Sequence, residues 1–538
     1  IPNREVKPVS ADGTAIPSGR VGRRLTSKSP FTLREGAFFL YTVIIYLYCH
    51  CFFVIFNQSK LNLIQDLFSY LIQPIIRMQI DYRLQLQDLT EKINNLWSYS
   101  ADKLKNMNSH LKGNIGSPVV TVNGVYEPRS WTDWTQGFQY GSELFQFNAT
   151  GDSFFIDLAI DNIKKEMTSH VSHFGVHDHG FNNLSTYGNL LRLLNEGKID
   201  NDTWLREYCS LALKLSASVQ AQRWTNLPDG GFIYSFNGPH SLFVDTIRTV
   251  RILNVGHLLR HYSSGENDVK INLLKRGLQH AIATAKYSVY YGEGRDSYDI
   301  WGRTAHEAIF NTNDGNFRSP STQQGYSGFS TWTRGLSWAM LGFAEQLEFL
   351  QGVDNLPELD ELGGRNHLEK TFLKAAKATC DFFIEHTASD GIPYWDTGAP
   401  GLVHLDNWKN SKSDPFNDYE PIDSSAAAIG AQGLLRLGNY LRGKNDSDGK
   451  KYWSAGLTTA NTLFDTPYLS SDTSHQGLIL HTIYHRPNGW DYVPENSRIP
   501  NGEACMWGDY HARELAHYLQ QIIKDNSYYT FFKDIISE

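Results

Sequence analysis

From residue 82 to the C-terminus the chain keeps returning to one pattern: apolar side chains at three- and four-residue steps, in segments of helical length. The segments are 154–168, 204–219, 246–262, 269–290, 338–350, 369–386, 425–441, 452–464 and 511–524. Further stretches near 82–112, 136–147 and 187–196 bring them to about twelve. This spacing predicts amphipathic helices, not strands. Between them lie loops marked by Gly, Pro and Asp, such as LPDGG (227–231), TNDGN (312–316), SDGIP (389–393) and RPNG (486–489). Such an alternation suits an all-α toroid of six helical hairpins, with inner helices burying both faces and outer helices one. No sequence repeat of the tetratricopeptide kind is visible. In such a ring the loops at one end carry function, because rigid helices hold them in place.

The first part of the chain is different. Residues 1–36 are polar and basic, with Arg20, Arg23, Arg24 and Lys28, and residues 37–56 (AFFLYTVIIYLYCHCFFVIF) contain no Lys, Arg, Asp or Glu. About 20 apolar residues behind a basic flank read as a membrane span or signal anchor. No small-x-small cleavage site follows. The first methionine is Met78, so upstream sequence fused to the protein is an equal alternative. The expected organisation is an N-terminal extension over 1–77 and a catalytic domain over 78–538. A true anchor would put the protein in the periplasm or cell envelope and in contact with a membrane; otherwise it is cytoplasmic.

Hydrophobic residues make up 41% and charged residues 20%, enough for a large core. The net charge of −8 and the lack of a long basic run argue against a nucleic-acid partner. An anionic small substrate needs only one or two local cations. The 13 Trp suit sugar binding, because the apolar face of a pyranose stacks on an aromatic ring while its hydroxyls find hydrogen bonds at the rim. Cysteines at 49, 51, 209, 380 and 505 show neither metal-ligand spacing nor an even pairing.

Four segments concentrate chemistry. WTDWTQGFQYG (131–141) offers Trp134, either as a sugar platform or as a cap on the core. FGVHDHGFNN (174–183) holds His177 and Asp178, but adjacent residues diverge and no HxxxH is near, so no metal is expected. Asp178, between two imidazoles, should keep its charge easily. In SLFVDTIRTVRIL (241–253) Asp245 stands among apolar neighbours, where a raised pKa would suit a proton donor; the alternative is a helix N-cap. The fourth segment runs from RTAHEAIF (303–310) to STQQGYSGFSTWTRGLSWAMLGF (321–343), where Arg334 and Trp338 share a helix face near an N-terminus. Arg334 there would make a carboxylate receptor flanked by Trp332 and Trp338, unless it is an ordinary surface arginine beside core tryptophans.

Together the motifs WTQGF, HDHGF, VDTIR, AHEAIF, QGYSGFSTWTRGLSW, GIPYWDTGAP, DSSAAAIGAQGLLRL and MWGDYHARELA resemble glycoside hydrolase family 88, the unsaturated glucuronyl hydrolases, from about residue 95 onward. The resemblance implies an (α/α)6 barrel, which agrees with the helix count. It implies release of 4,5-unsaturated uronic acid from lyase-generated oligosaccharides by hydration of the C4=C5 vinyl ether. Asp245 would be the general acid and base and Asp178 its assistant. Trp134, His177, His306, Gln324, Trp332, Arg334 and Trp338 would bind the substrate, and no metal or organic cofactor is implied. Two stretches depart from the family. YHRPNGWDY (484–492) lacks a Ser/Ser/Lys cluster that relatives use for sulfate, leaving His485, Arg486 or Asn488 as substitutes. FIYSF (232–236) lacks a tryptophan at the aglycone side. The rival readings are an unsaturated rhamnogalacturonyl hydrolase, a sugar epimerase with histidine bases, and a membrane-tethered carbohydrate-binding protein.

Overall fold

The computed structural model describes residues 78–112, 116–129 and 134–525, with 530 and 532. The extension 1–77 and its segment 37–56 lie outside the described residues. No helix among those described is long and apolar enough to cross a membrane.

Among the described residues twelve longer helices form the frame: α1 (Thr90–Leu111), α2 (Gln136–Thr150), α3 (Ser153–Glu166), α4 (His179–Asn183, continued by a π turn Leu184–Gly188 and by Asn189–Asn195), α5 (Thr203–Gln222), α6 (Thr246–Thr249 and Arg251–Leu258), α7 (Leu273–Tyr287), α8 (Thr333–Gly352), α9 (Arg365–His386), α10 (Ser424–Gly443), α11 (Asp448–Leu463) and α12 (Met506–Asp525). Each even-numbered helix packs against the next, and α12 packs against α2, so these six close an inner ring; the odd-numbered helices lie outside it. This is the (α/α)6 barrel.

Burial follows the ring. In α8 every residue from Thr333 to Leu350 is buried. Outer α1 buries only a stripe, Ile93, Leu96, Trp97, Ser100, Lys103, Leu104 and Met107. Side-chain caps start several helices: Asp152 accepts from the Phe154 amide, Asp202 from Leu205 and Asn272 from Lys275.

Two motif glycines are explained by the inner ring. A Cβ on Gly137 would stand 2.3 Å from the Asn182 carbonyl oxygen, and one on Gly180 would stand 2.0 Å from that of Thr249. Only glycine lets α2 meet α4, and α4 meet α6, at backbone contact. The second crossing sets the first residues of α4 against α6. Gly180→Ala is expected to force that crossing apart and to cost about 3 kcal/mol, read as a lower urea midpoint.

Deeper in the bore the inner helices are tied by buried ion pairs. Arg248 Nε lies 2.9 Å from Glu345 and its Nη2 2.9 Å from Glu514, Arg251 lies 3.0 Å from Glu345, and Arg436 lies 2.8 Å from Glu348. These link α6, α8, α10 and α12. Burial raises the Glu348 carboxyl to about 7, against the pull of Arg436.

The loops between the helices also carry short strands. Short antiparallel ribbons decorate them: Ser117–Val122 with Val125–Arg129, Trp224–Leu227 with Gly230–Ile233, and a three-stranded sheet of Ser241–Phe243, Glu307–Phe310 and Phe317–Ser321. LPDGG and TNDGN are the turns of such ribbons. The segment expected as one helix over 246–262 is interrupted at Val250 and ends at Leu258.

Candidate active site

The starts of the inner helices meet at one end of the barrel. Trp134 stacks on Trp507 with ring centroids 4.8 Å apart, Arg334 pairs with Asp423 at 3.0 Å, and His177 approaches Asp245 at 3.4 Å. The N-terminal ends of the inner helices therefore face one mouth.

Asp178 occupies the N-cap position of α4 and Asp245 that of α6, yet neither carboxylate bonds the amides of its helix. A capping role for Asp245 is thereby excluded. Both carboxyls instead face the imidazole between them: His177 Nε2 is 3.4 Å from Asp245 Oδ1 and 4.0 Å from Asp178 Oδ1. The three side chains are buried, and Asp245 Oδ1 has no hydrogen-bond partner among the described residues.

Their electrostatics reverse the sequence expectation. Burial raises the pKa of Asp178, opposed by His177 and reinforced by the charge of Asp245. Burial pushes Asp245 up too, but His177, His306 and Arg334 outweigh it and hold the carboxyl below its ordinary value. The apolar chain neighbours Leu242, Val244 and Ile247 belong to core clusters, while the carboxyl itself meets basic groups from other segments. His177 is opposed by burial, yet the two carboxylates raise its pKa above the imidazole norm.

The three-stranded sheet brings the remaining polar groups together. Phe243 pairs with Glu307, and the Val244 amide donates to the His306 carbonyl at 2.9 Å, so Asp245 and His306 leave adjacent strands at the same edge. His306 Nδ1 accepts from the amides of Gln323 (3.1 Å) and Gln324 (3.4 Å). That fixes the neutral tautomer with its proton on Nε2, which has no partner among the described residues. Burial lowers the His306 pKa to about 4, so the ring is a neutral donor at pH 7.

Arg334 is not the free carboxylate receptor expected from the sequence. Its Nη1 donates to Asp423 (3.0 Å) and to the Ile483 carbonyl, and its Nη2 to Gln324 Oε1 (2.7 Å) and the Tyr484 carbonyl (2.8 Å). The guanidinium lies between Trp332 and Trp507, 4.6 and 4.9 Å from their rings. All four Nη hydrogens are spent inside the protein. Gln324, its oxygen held by Arg334, keeps its amide hydrogens for a ligand. Trp338 also differs from expectation: it is 1% exposed and packs on Phe181 and His511, a core residue beneath the site. Trp332 is buried against the His306 ring at 4.6 Å, and Trp134 is only half-buried at the mouth.

Several groups escaped the sequence reading. Trp507 and Tyr484 extend the aromatic wall, and Phe236, 53% exposed, lies nearly parallel to the His177 ring at 6.1 Å. Asp396 accepts from the Tyr326 amide at 2.8 Å and so holds the loop that carries Gln324. Burial lifts its carboxyl to about 6. In the loop 484–492, His485 and Asn488 are bonded to each other. His179 uses both ring nitrogens on Ser216 and the His173 carbonyl, and no group of three His, Cys, Asp or Glu among the described residues is arranged to hold a metal.

No family model matches the chain. It is 26% identical over 394 residues to the unsaturated glucuronyl hydrolase of Formosa agariphila, covering 73% of this chain and 81% of that one. To the enzyme of the same name from Bacillus sp. strain GL1 it is 27% identical over 395 residues, 71% of this chain and 85% of the relative. The crystal structure of the Bacillus sp. GL1 unsaturated glucuronyl hydrolase superposes with a TM-score of 0.60 at 22% identity, covering 81% of this chain and 99% of that one. By sequence kinship and by its (α/α)6 barrel, the chain is a glycoside hydrolase related to the unsaturated glucuronyl hydrolases, as its motifs indicated.

Proposed function

We infer that the protein removes 4,5-unsaturated uronic acid from the non-reducing end of lyase-generated oligosaccharides, by hydrating the C4=C5 bond. The observation that carries this reading is the pair of buried carboxyls on either side of His177, one raised and one lowered in pKa. Groups tuned apart in this way can keep one proton in the set near neutral pH.

At rest Asp245 is an anion beside a proton-bearing His177. An entering uronate brings negative charge and expels water, both of which disfavour the Asp245 carboxylate and draw the proton onto it. Asp245 delivers that proton to C4 as water adds to C5, and takes a proton from the water in return. The resulting hemiketal opens to a ketone at C5, and the hemiacetal left at C1 collapses to free the aglycone. Gln324 and the Nε2 proton of His306 are the donors left to meet the sugar, with the charge of Arg334 behind them. Trp134 and Phe236 offer ring faces at the mouth.

The test is loss of the ultraviolet absorbance of the unsaturated uronate, run on glucuronyl disaccharides and on rhamnose-linked galacturonyl disaccharides. Turnover of the glucuronyl set is expected. Turnover of the rhamnose-linked set alone would move the protein to pectin fragments, and an unchanged signal throughout would overturn the reading. Phe236→Ala is expected to raise KM about fivefold with little change in kcat, through loss of a stacking contact worth about 1 kcal/mol, in the same assay.

A further inference from the structure

Asp423 touches no position open to a sugar. It is fully buried at the start of α10, where one carboxylate oxygen caps the helix and the other reaches toward the site. Its Oδ1 accepts from the Ser425 amide at 3.0 Å and the Ser425 hydroxyl at 2.6 Å, and its Oδ2 holds Arg334 Nη1 at 3.0 Å. Arg334 in turn fixes Gln324 Oε1 at 2.7 Å, and the Gln324 backbone amide sits 3.4 Å from His306 Nδ1. A line of contacts thus runs from α10 through α8 to the loop after the three-stranded sheet, ending on the ring beside Asp245.

We propose that Asp423 is a positioning residue for the hydration reaction: it anchors Arg334, and through it sets the aim of Gln324 and the hydrogen bonding that its backbone amide gives to His306. The inference rests on the proposed function for its kinetic arm only. Two separate consequences follow from the geometry. The first is aim, because a buried guanidinium without its carboxylate must find new partners and releases Gln324. The second is charge, because Arg334 is one of the groups that lower the pKa of Asp245, and a carboxylate 3.0 Å from that guanidinium opposes its field.

Asp423→Asn separates these effects from helix capping, since asparagine caps as well as aspartate does. The variant is expected to lose about 100-fold in kcat, as for a displacement of about 1 Å in a reacting group. The alkaline limb of its kcat profile, where Asp245 must still receive a proton, is expected at lower pH than in the wild type, because the uncancelled Arg334 charge stabilises the Asp245 carboxylate. If the stranded cation prevents folding, the double variant Asp423→Asn/Arg334→Gln removes both charges. Its alkaline limb is expected at higher pH than in the wild type. A reading independent of turnover is the imidazole nitrogen spectrum of protein labelled with nitrogen-15 histidine, with His306 assigned by its loss in His306→Asn. The His306 Nδ1 signal is expected to shift in Asp423→Asn as the Gln324 amide draws away, while the Gln323 amide keeps the proton on Nε2. Unmoved His306 signals would overturn the proposal whatever the activity, and so would a fall in kcat with unmoved pH limbs. A wild type inert on every unsaturated uronate would instead refute the functional reading, and the nitrogen spectrum would still decide the role of Asp423.

Discussion

Asp245→Asn is expected to lower kcat by about 10,000-fold, the upper end of what a single proton-transfer group contributes, with KM nearly unchanged. The residue is asked to do two things in one turnover, to protonate C4 and to accept a proton from water, and an amide does neither. The fold should survive, because the Asp245 side chain caps no helix and its Oδ1 has no hydrogen-bond partner among the described residues. The measurement is steady-state kinetics beside a thermal melt. A variant with wild-type kcat would remove Asp245 from the chemistry, and an epimerase relying on histidine bases would give that result.

Asp178→Asn is expected to cost about 1,000-fold and, more tellingly, to displace the pH profile. In the wild type the trio Asp178, His177 and Asp245 works with a single proton. Adding a second one to Asp178 sets the acid limb of kcat/KM above the ordinary aspartate value of about 3.9, because its pKa is raised. Loss of the proton from His177 sets the alkaline limb above the ordinary imidazole value of about 6.5, because two carboxylates favour its charge. With Asp178 neutralised, the acid limb falls to that of Asp245, whose pKa is lowered, and His177 loses one of the charges that raise it. Both limbs should therefore move to lower pH. Limbs that stay in place would mean that Asp178 takes no part in the proton inventory.

The ring itself was legible because its outer helices bury a single apolar stripe, which is written in periodicity, while its inner helices are buried on every side. The motif positions of Asp178, Asp245, His306 and Gln324 could also be read, since each stands at a break in the pattern. What could not be read is which neighbours those breaks acquire. Asp245 is flanked in sequence by Leu242, Val244 and Ile247, and nothing in that run shows that His177, His306 and Arg334 surround its carboxyl. Arg334 looked available because its partners Asp423, Ile483 and Tyr484 are distant along the chain. The strands Ser241–Phe243 and Glu307–Phe310 were missed because each is too short to establish a two-residue alternation beside long helices.

The two ends of the barrel are joined very differently. Away from the site, α2 passes to α3 through Gly151 and Asp152 alone, and α10 to α11 through 444–447, whereas at the mouth the chain wanders through 288–332, 387–423 and 464–505 between helices. Stability and sugar choice are thereby written in separate stretches of sequence.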